Sequence, residues 1–326
     1  MRPWRQLGWK CVVVLCVLGI AATSHAQPYP NKPVKLVIPY TPGAHADLLA
    51  RTLAQKLSDE WGQPVVVENK PGGGGTIGTL AGSRAAPDGY TLLMSALGQM
   101  VIFPSMQTNP PYNAVTDFEA VVPLVRTPWV LYVNKDIPAN TVKEFIAWAK
   151  ARPNGVNGAT PGLGTTNHLA MAMFAKDTGV KVETVHYNGS AQAVQDLIAG
   201  RTDFMFDSLL TRRFVTEGRL RALAVTGAAR SPFAPELPTM IESGVPDFDV
   251  TVWFAIFLPP KTPADIVNKV NADVQKAMSS KDVQDKLAVA SFEYIYRMSP
   301  AEFRDLVRRD NDKWSKVVRE SGIKAE

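Results

Sequence analysis

The chain has 326 residues, a formal net charge of +5 and two cysteines. Both cysteines, Cys11 and Cys16, fall in an apolar leader, so the rest offers no disulfide, thiolate nucleophile or cysteine metal site. Without the leader's Arg2, Arg5 and Lys10 the charge is +2, and no dense Lys/Arg run with interleaved aromatics suggests nucleic-acid binding.

Residues 1–26 read as a secretory signal: a basic start, a near-unbroken apolar run from Cys11 to Ala22, and the small-x-small site Ser24-His25-Ala26 before Gln27. The run is too short and too early for a stable membrane span, and no second long apolar segment follows. A lipoprotein start would need a small residue just before a cysteine, which Leu15-Cys16 lacks. The expectation is an exported chain of one or two domains, held together by its core.

Val34, Leu36, Val37 and Ile38 predict a buried parallel strand. It breaks at Pro39-Tyr40-Thr41-Pro42-Gly43. From Asp47 the positions Leu48, Leu49, Thr52, Leu53 and Leu57 recur at helical spacing. Strand, tight turn and helix thus follow almost without a loop. In an open α/β sheet, ligands bind at strand carboxyl ends, where the first free N–H groups of the next helix favour an anion. For Asp47 the plain alternative is an acid stabilising its own helix.

Val65–Asn69 reads as a second strand. Gly73-x-Gly75-x-x-Gly78 matches the dinucleotide fingerprint as a string, but the helix after it is short. The next strand, Thr91–Ser95, ends without the acid that holds a ribose. The glycine loop is read as flexible, seating a helix close to the sheet, with a place near the cleft left open. Pro104–Asn113 is loop-like. Strands follow at Phe118–Val125 and Trp129–Asn134, then a helix capped by Thr141. Strand and helix patterns alternate through Val156–Ala159, Thr165–Thr178, Val182–His186, Ala191–Ala199, Asp203–Phe206, Leu209–Glu217 and Leu220–Thr226. Val250–Leu258 is a longer strand. Three helices close the chain: Ala264–Ser279, Lys281–Val289 and Pro300–Ser321. The first block has too few helices to cover its sheet, and the last three could supply them. The predicted organisation is therefore residues 27–127 plus 250–326 as one discontinuous lobe and 128–249 as the other, with one cleft.

A second anion-type turn runs from Gly158 through Pro161, Gly162 and Gly164 to Thr165, Thr166 and His168. A strand ends, glycines free the backbone, and Thr165 or Thr166 caps a helix. The plain alternative is an ordinary threonine cap. Two more junctions occur at His186-Tyr187-Asn188-Gly189-Ser190 and Phe206-Asp207-Ser208. Catalytic and metal signatures such as His-Glu-x-x-His or Gly-x-Ser-x-Gly are missing. His45, His168 and His186 could in principle bind zinc, which keeps an exported metal-assisted hydrolase as the alternative.

The chain resembles the exported substrate-binding receptors of the tripartite tricarboxylate transporter family, the Bug-type receptors. The resemblance rests on Tyr29-Pro30-Asn31-Lys32-Pro33, Glu68-Asn69-Lys70-Pro71-Gly72, Pro87-Asp88-Gly89-Tyr90, Val185-His186-Tyr187-Asn188-Gly189, Phe206-Asp207, Arg221–Thr226 and Trp253-Phe254. It implies an α/β, two-lobed periplasmic binding protein of the type II, Venus-flytrap kind. Such a protein holds a carboxylate ligand between its lobes, with no catalysis, cofactor or metal. The implied partners are the membrane subunits of a transporter; a sensor kinase is the other candidate, and a monomer is expected. The family's first turn usually reads Pro-Gly-Gly-x-(Ser/Thr)-Asp, where this chain has Pro42-Gly43-Ala44-His45-Ala46-Asp47. The family's Tyr-Lys-Gly is here Tyr187-Asn188-Gly189, which loses a cation.

The candidate ligand-binding residues are Tyr40, Pro42, Gly43, Ala44 and His45 of the first turn and Ser95 and Ala96 at a strand end. Gly164, Thr165, Thr166, His168, Tyr187, Asn188 and Asp207 complete the set from the second block. His45, at a helix N-terminus, is expected to be neutral near pH 7, to donate from one ring nitrogen and to gain proton affinity beside a bound carboxylate. The plain alternative is a solvent-facing side chain.

Overall fold

The structure, a computed structural model, describes residues 29–292, 294–295 and 297–323. The expected export signal lies outside the described residues. Lys32–Glu326 forms one compact unit, and its described residues are built on two mixed sheets.

The first sheet begins with β1 (Val34–Ile38), β2 (Val65–Asn69) and β3 (Thr91–Ala96), with β1 central and parallel to both neighbours. Helix α1 (His45–Trp61) joins β1 to β2, and α2 (Thr76–Ser83) joins β2 to β3. In α1, Leu49, Leu53 and Leu57 are buried as their spacing predicts, whereas Leu48 is 42% exposed because it falls outside that stripe. After β3 comes a π-helical stretch, Gly98–Ile102, and the short α3 (Phe103–Ser105). The latter occupies the start of the segment expected to be loop. Strand β4 (Glu119–Pro128) lies two places from β3 in the same sheet.

The second sheet has the order β7-β6-β8-β5-β9, formed by β5 (Val130–Asn134), β6 (Val156–Thr160), β7 (Val182–His186), β8 (Phe204–Asp207) and β9 (Leu220–Val225). Its helices are α4 (Val142–Lys150), α5 (Thr166–Thr178), α6 (Ser190–Ile198) and the short α7 (Arg213–Thr216). The region expected to be one helix at Leu209–Glu217 is instead a 3-10 turn, Leu209–Arg212, followed by α7.

The chain then returns to the first sheet. Strand β10 (Thr251–Leu258) inserts between β3 and β4, antiparallel to both. All but its first residue are buried, as suits a strand with neighbours on both edges. Helix α8 (Ala264–Met278) packs on β4 and α1, α9 (Lys281–Val289) on α1, and α10 (Pro300–Ser321) on β4. A two-residue strand, β11 (Tyr294–Ile295), adds to the outer edge of β4 and has no counterpart in the predicted elements.

The two sheets are stitched where the chain crosses between them. The Thr226 hydroxyl accepts from Trp129 N (2.8 Å) and donates to the Val250 carbonyl (2.6 Å). One side chain thereby ties together the two connections, β4–β5 and β9–β10.

Candidate ligand-binding site

A cavity of about 620 Å³ lies between the two sheets. Its lining comes from the turn after β1, the glycine loop Pro71–Gly75 between β2 and α2, the end of β3, the turn after β6, the ends of β7 and β8, and the start of β10. These are mostly strand carboxyl ends, the positions from which following helices turn their first N–H groups toward a ligand.

The first wall is built on the β1–α1 turn. Gly43 takes a positive φ of 77°, and its N–H donates to Asp47 Oδ2 at 2.9 Å. The same carboxylate accepts from Arg51 Nε (2.9 Å) and Asn69 Nδ2 (2.9 Å). Burial pushes the Asp47 carboxyl up, but the bonds from Arg51, Gly43 and Asn69 together hold it below the usual carboxylate range. Asp47 is therefore an anion inside the first turn of α1, braced by the turn before it.

His45 is the first residue of α1. Its Nε2 lies 2.9 Å from the Ala290 carbonyl and donates to it, and its ring stacks on Phe292 at a centroid distance of 3.9 Å. Burial pushes its pKa down to about 4, against the opposing pull of the Ala290 bond. The ring is thus neutral, as expected near pH 7, but its N–H is spent on the protein, and it does not face solvent. It lines the cavity, and its Nδ1, an acceptor in this tautomer, is buried without a partner among the described residues. Tyr40 donates its hydroxyl to Gln99 Oε1 at 2.7 Å, and burial raises its phenol well above the ordinary value. Phe254 meets both Tyr40 and His45 edge-on, at 6.1 and 6.3 Å.

The second wall is built on the β6–α5 turn. Thr165 caps α5: its hydroxyl accepts from His168 N (3.2 Å) and donates to the Gly162 carbonyl (2.8 Å). That hydroxyl has no proton left to offer. Thr166 differs. Its Oγ1 accepts from the Trp129 indole N–H at 3.0 Å, and its own proton has no acceptor among the described residues. Thr166 is 3% exposed and lines the cavity. A hydroxyl held as acceptor by an indole is oriented to donate away from it. The first backbone N–H groups of α5 have no carbonyl a turn earlier to bind, and no acid occupies that first turn.

His168 is the third residue of α5, within its first turn. Its Nδ1 accepts from Gly164 N at 3.3 Å, and its ring meets His186 edge-on at 4.7 Å. Burial, then the neighbouring His186, pushes its pKa down to about 4. Asp207 lies at the end of β8. Its oxygens accept from Ser190 Oγ (3.0 Å) and Thr211 Oγ1 (2.6 Å). Burial pushes its carboxyl up, partly offset by those bonds. Tyr187 donates its hydroxyl to Asp196 at 2.8 Å, and burial is the first cause raising its pKa to about 12.

Of the residues proposed from the sequence, Tyr40, Ala44, His45, Ala96, Thr165, Thr166, Tyr187, Asn188 and Asp207 line the cavity. Pro42, Gly43, Ser95, Gly164 and His168 do not. Pro42 and Gly43 are on the surface, the latter bonded to Asp47. Ser95 is fully buried, because successive residues of β3 face opposite sides and Ala96 takes the cavity side. Gly164 lies against Phe103, and His168 supports the turn from behind. Pro71–Gly75 of the glycine loop, Gln99, Trp129, Asn167 and Phe254 line the cavity without having been among the candidates. For Phe254 a signal existed: alternation along β10 puts Val252 and Phe254 on the cavity side and Trp253 on the other, where its indole bonds Asp310 at 2.7 Å.

A three-histidine metal site does not fit this arrangement. His45 is committed to Ala290 on one wall while His168 and His186 pair on the other, and no group of three potential ligands occurs among the described residues. No helix among the described residues is long and apolar enough to cross a membrane.

Two α/β lobes with a ligand-sized cavity at the strand ends define the periplasmic-binding-protein architecture, a class of solute receptors. The chain belongs to the tripartite tricarboxylate transporter receptor family: the family profile described as "Tripartite tricarboxylate transporter family receptor" matches residues 49–323. Protein BugT of Bordetella pertussis (strain Tohama I) is 35% identical over 314 residues, covering 96% of each chain. Among solved structures, the periplasmic binding protein BugD is 33% identical with a TM-score of 0.85, covering 91% of this chain and 100% of its own. R. palustris Rpa4515 with adipate is also 33% identical, with a TM-score of 0.86, covering 91% of this chain and 99% of its own.

Proposed function

We propose that this chain is a periplasmic solute-binding protein that captures a small carboxylate without transforming it. It then hands the ligand to the membrane subunits of a tripartite tricarboxylate-type transporter. The observation that carries the reading is the N-terminus of α5 at the cavity wall, where Thr166 keeps a free hydroxyl proton beside backbone N–H groups and no acid competes. Family membership and the adipate in the related Rpa4515 structure support the same chemistry. We take the lobes to be residues 27–127 plus 250–326 and residues 128–249. Sheet membership supports this division, since β10 and the last three helices associate with the first sheet. Release and capture then follow from a hinge motion about the two stitched connections. Export follows from the signal-like residues 1–26.

The test is a melting-temperature screen of organic acids followed by calorimetry on wild type and Thr166→Val. A ligand that binds only the folded protein raises its melting temperature. Thr166→Val removes the free donor at nearly constant size and is expected to weaken the best acid about tenfold or more. An unchanged dissociation constant would remove α5 as the anchor, and a screen in which no acid stabilises the protein would remove the carboxylate reading.

A further inference from the structure

We infer that Gln99 is a specificity-determining residue: its side-chain amide binds an acceptor oxygen of the ligand from the first wall of the cavity. The inference rests on the carboxylate-binding reading above. It adds a donor on the first wall and the chemistry that the ligand presents to it.

The supply of donors is the first ground. No lysine or arginine lines the cavity, so a ligand oxygen meets neutral donors there. The first wall contributes four polar side chains, Tyr40, Thr41, His45 and Gln99. Tyr40 spends its proton on Gln99 Oε1, and His45 spends its own on the Ala290 carbonyl. The other ring nitrogen of His45, Nδ1, is an acceptor and is enclosed. Thr41 is partly exposed, where water competes for its hydroxyl. Gln99 is 5% exposed, and its Nε2 has no acceptor among the described residues. Because Tyr40 claims Oε1, the end of the carboxamide left over is the one that carries two protons.

Placement is the second ground. The Gln99 carbonyl accepts from the Tyr112 hydroxyl, so the residue is fixed at backbone and side chain alike. Gly75, in the glycine loop that lines the cavity, has a φ of 94°, and a Cβ there would fall 2.4 Å from Gln99 Cγ and 3.4 Å from Nε2. Glycine at this position leaves room for the carboxamide beside the loop. Gly75 also caps α2, a helix of eight residues with no acid in its first turn and with the Thr76 hydroxyl buried without a partner among the described residues. The amide therefore lies at the positive end of a helix that holds no anion of its own, which favours an acceptor oxygen over a donor. Gln99 directly follows Gly98, where a Cβ would lie 3.1 Å from Thr166 N. The two walls thus meet one residue away from this donor.

Calorimetry at pH 8 compares wild type with Gln99→Glu and Gln99→Met. The probes are adipate, 5-oxohexanoate, hexanoate, benzoate and any acid that stabilises the protein in the melting-temperature screen. Gln99→Glu keeps the shape and an oxygen for Tyr40 to donate to, but exchanges both donors for an acceptor. Gln99→Met removes donors and acceptor at similar length. Both are expected to weaken the tightest-binding probe at least about tenfold, or about 1.4 kcal/mol, with Gln99→Glu losing at least as much as Gln99→Met. Wild-type affinity in either variant overturns the inference. So does a smaller loss in Gln99→Glu than in Gln99→Met, because side-chain shape alone would then explain the effect. Melting transitions of the ligand-free variants report folding, and either variant decides alone if the other does not fold. Thr166→Val, measured alongside, keeps the two readings apart: if it weakens the probe and the Gln99 variants do not, carboxylate capture stands and the inference fails. If no acid binds the wild type, carboxylate capture fails and the inference falls with it.

Discussion

Thr165 and Thr166 are adjacent and chemically identical, yet their hydroxyls do different work. Thr165 both accepts from His168 N and donates to Gly162, which makes it a structural cap, whereas Thr166 retains a proton facing the cavity. Thr165→Val should therefore cost about 1 kcal/mol of stability through the lost cap. Its effect on ligand affinity should be smaller than that of Thr166→Val, and urea denaturation alongside calorimetry separates the two. The buried histidines set a pH dependence. His45 and His168 are held at about 4 in the folded protein, below the ordinary histidine value of 6.5. Between those values the unfolded chain binds protons that the folded chain does not, so stability is fully present above about pH 6.5 and falls as pH drops toward 4. For well-buried His168 the shift corresponds to at most about 3 kcal/mol. Replacing it with Gln, which can still accept from Gly164 N, should flatten the slope of unfolding free energy against pH in that window. An unchanged slope would rule out His168 as its source. His45 was expected to take up a proton on binding. A ligand would have to lift it from about 4 to near neutrality, against burial and stacking on Phe292. Affinity should therefore be nearly flat from about pH 6 to pH 8, with equal apparent enthalpies in buffers of different ionisation enthalpy.

At the scale of elements, the β6–α5 turn sets where the free donors point. Gly164 has a φ of 71°, and a Cβ there would lie 2.4 Å from Phe103 Cδ2 and 3.0 Å from its Cα. Gly164→Ala should lower stability by more than the roughly 1 kcal/mol of a left-handed backbone alone, and should weaken ligand binding by displacing the start of α5. Gly62→Ala is the control. Gly62 has a φ of 62° with nothing within 4 Å, so only the backbone penalty applies and affinity should not change. If both variants lose the same stability and neither loses affinity, the Phe103 contact is unimportant for the site. The first strand-turn-helix unit was legible because β1 is an apolar β-former run and α1 carries a buried stripe; the second was legible from its glycines and the Thr165 cap, since α5 is buried continuously from Thr166 to Met171. The Gly98–Ile102 stretch was not, since every residue of it is buried and no polar face marks its period. Gln99 was missed with it.

At the scale of the whole molecule, the two lobes are joined by two connections that meet at Thr226. Its hydroxyl satisfies Trp129 N and the Val250 carbonyl at once, in a fully buried position. Thr226→Val leaves both backbone groups short of a partner. Leaving buried polar groups unsatisfied costs about 1–3 kcal/mol each. The unfolding midpoint should fall accordingly, while Thr226→Ser, which keeps the hydroxyl, should lose much less. Equal losses would assign the effect to packing by the threonine methyl. Trp129 also donates its indole N–H to Thr166, so the same joint that links the lobes holds the donor at the cavity. Thr226→Val is therefore expected to weaken ligand binding as well as stability.

What the sequence determined by itself is local. Periodicity, glycine and proline punctuation and capping residues specify most strands and helices and their order, because each of those signals is carried by residues a few positions apart. The family motifs extended that to a two-lobed α/β receptor. The tertiary structure decided what depends on partners distant in the chain. It put β10 between β3 and β4, across more than a hundred residues of intervening chain. It brought Ala290 and Phe292 onto His45, so that the N–H of a candidate ligand donor is spent within the protein and only its Nδ1 acceptor is left unpaired. It gave Thr166 an indole partner from Trp129 while Thr165 found its partners within its own turn. A hydroxyl's availability depends on which groups already claim its proton and its lone pairs. Those claims come from segments that only folding brings within hydrogen-bond distance.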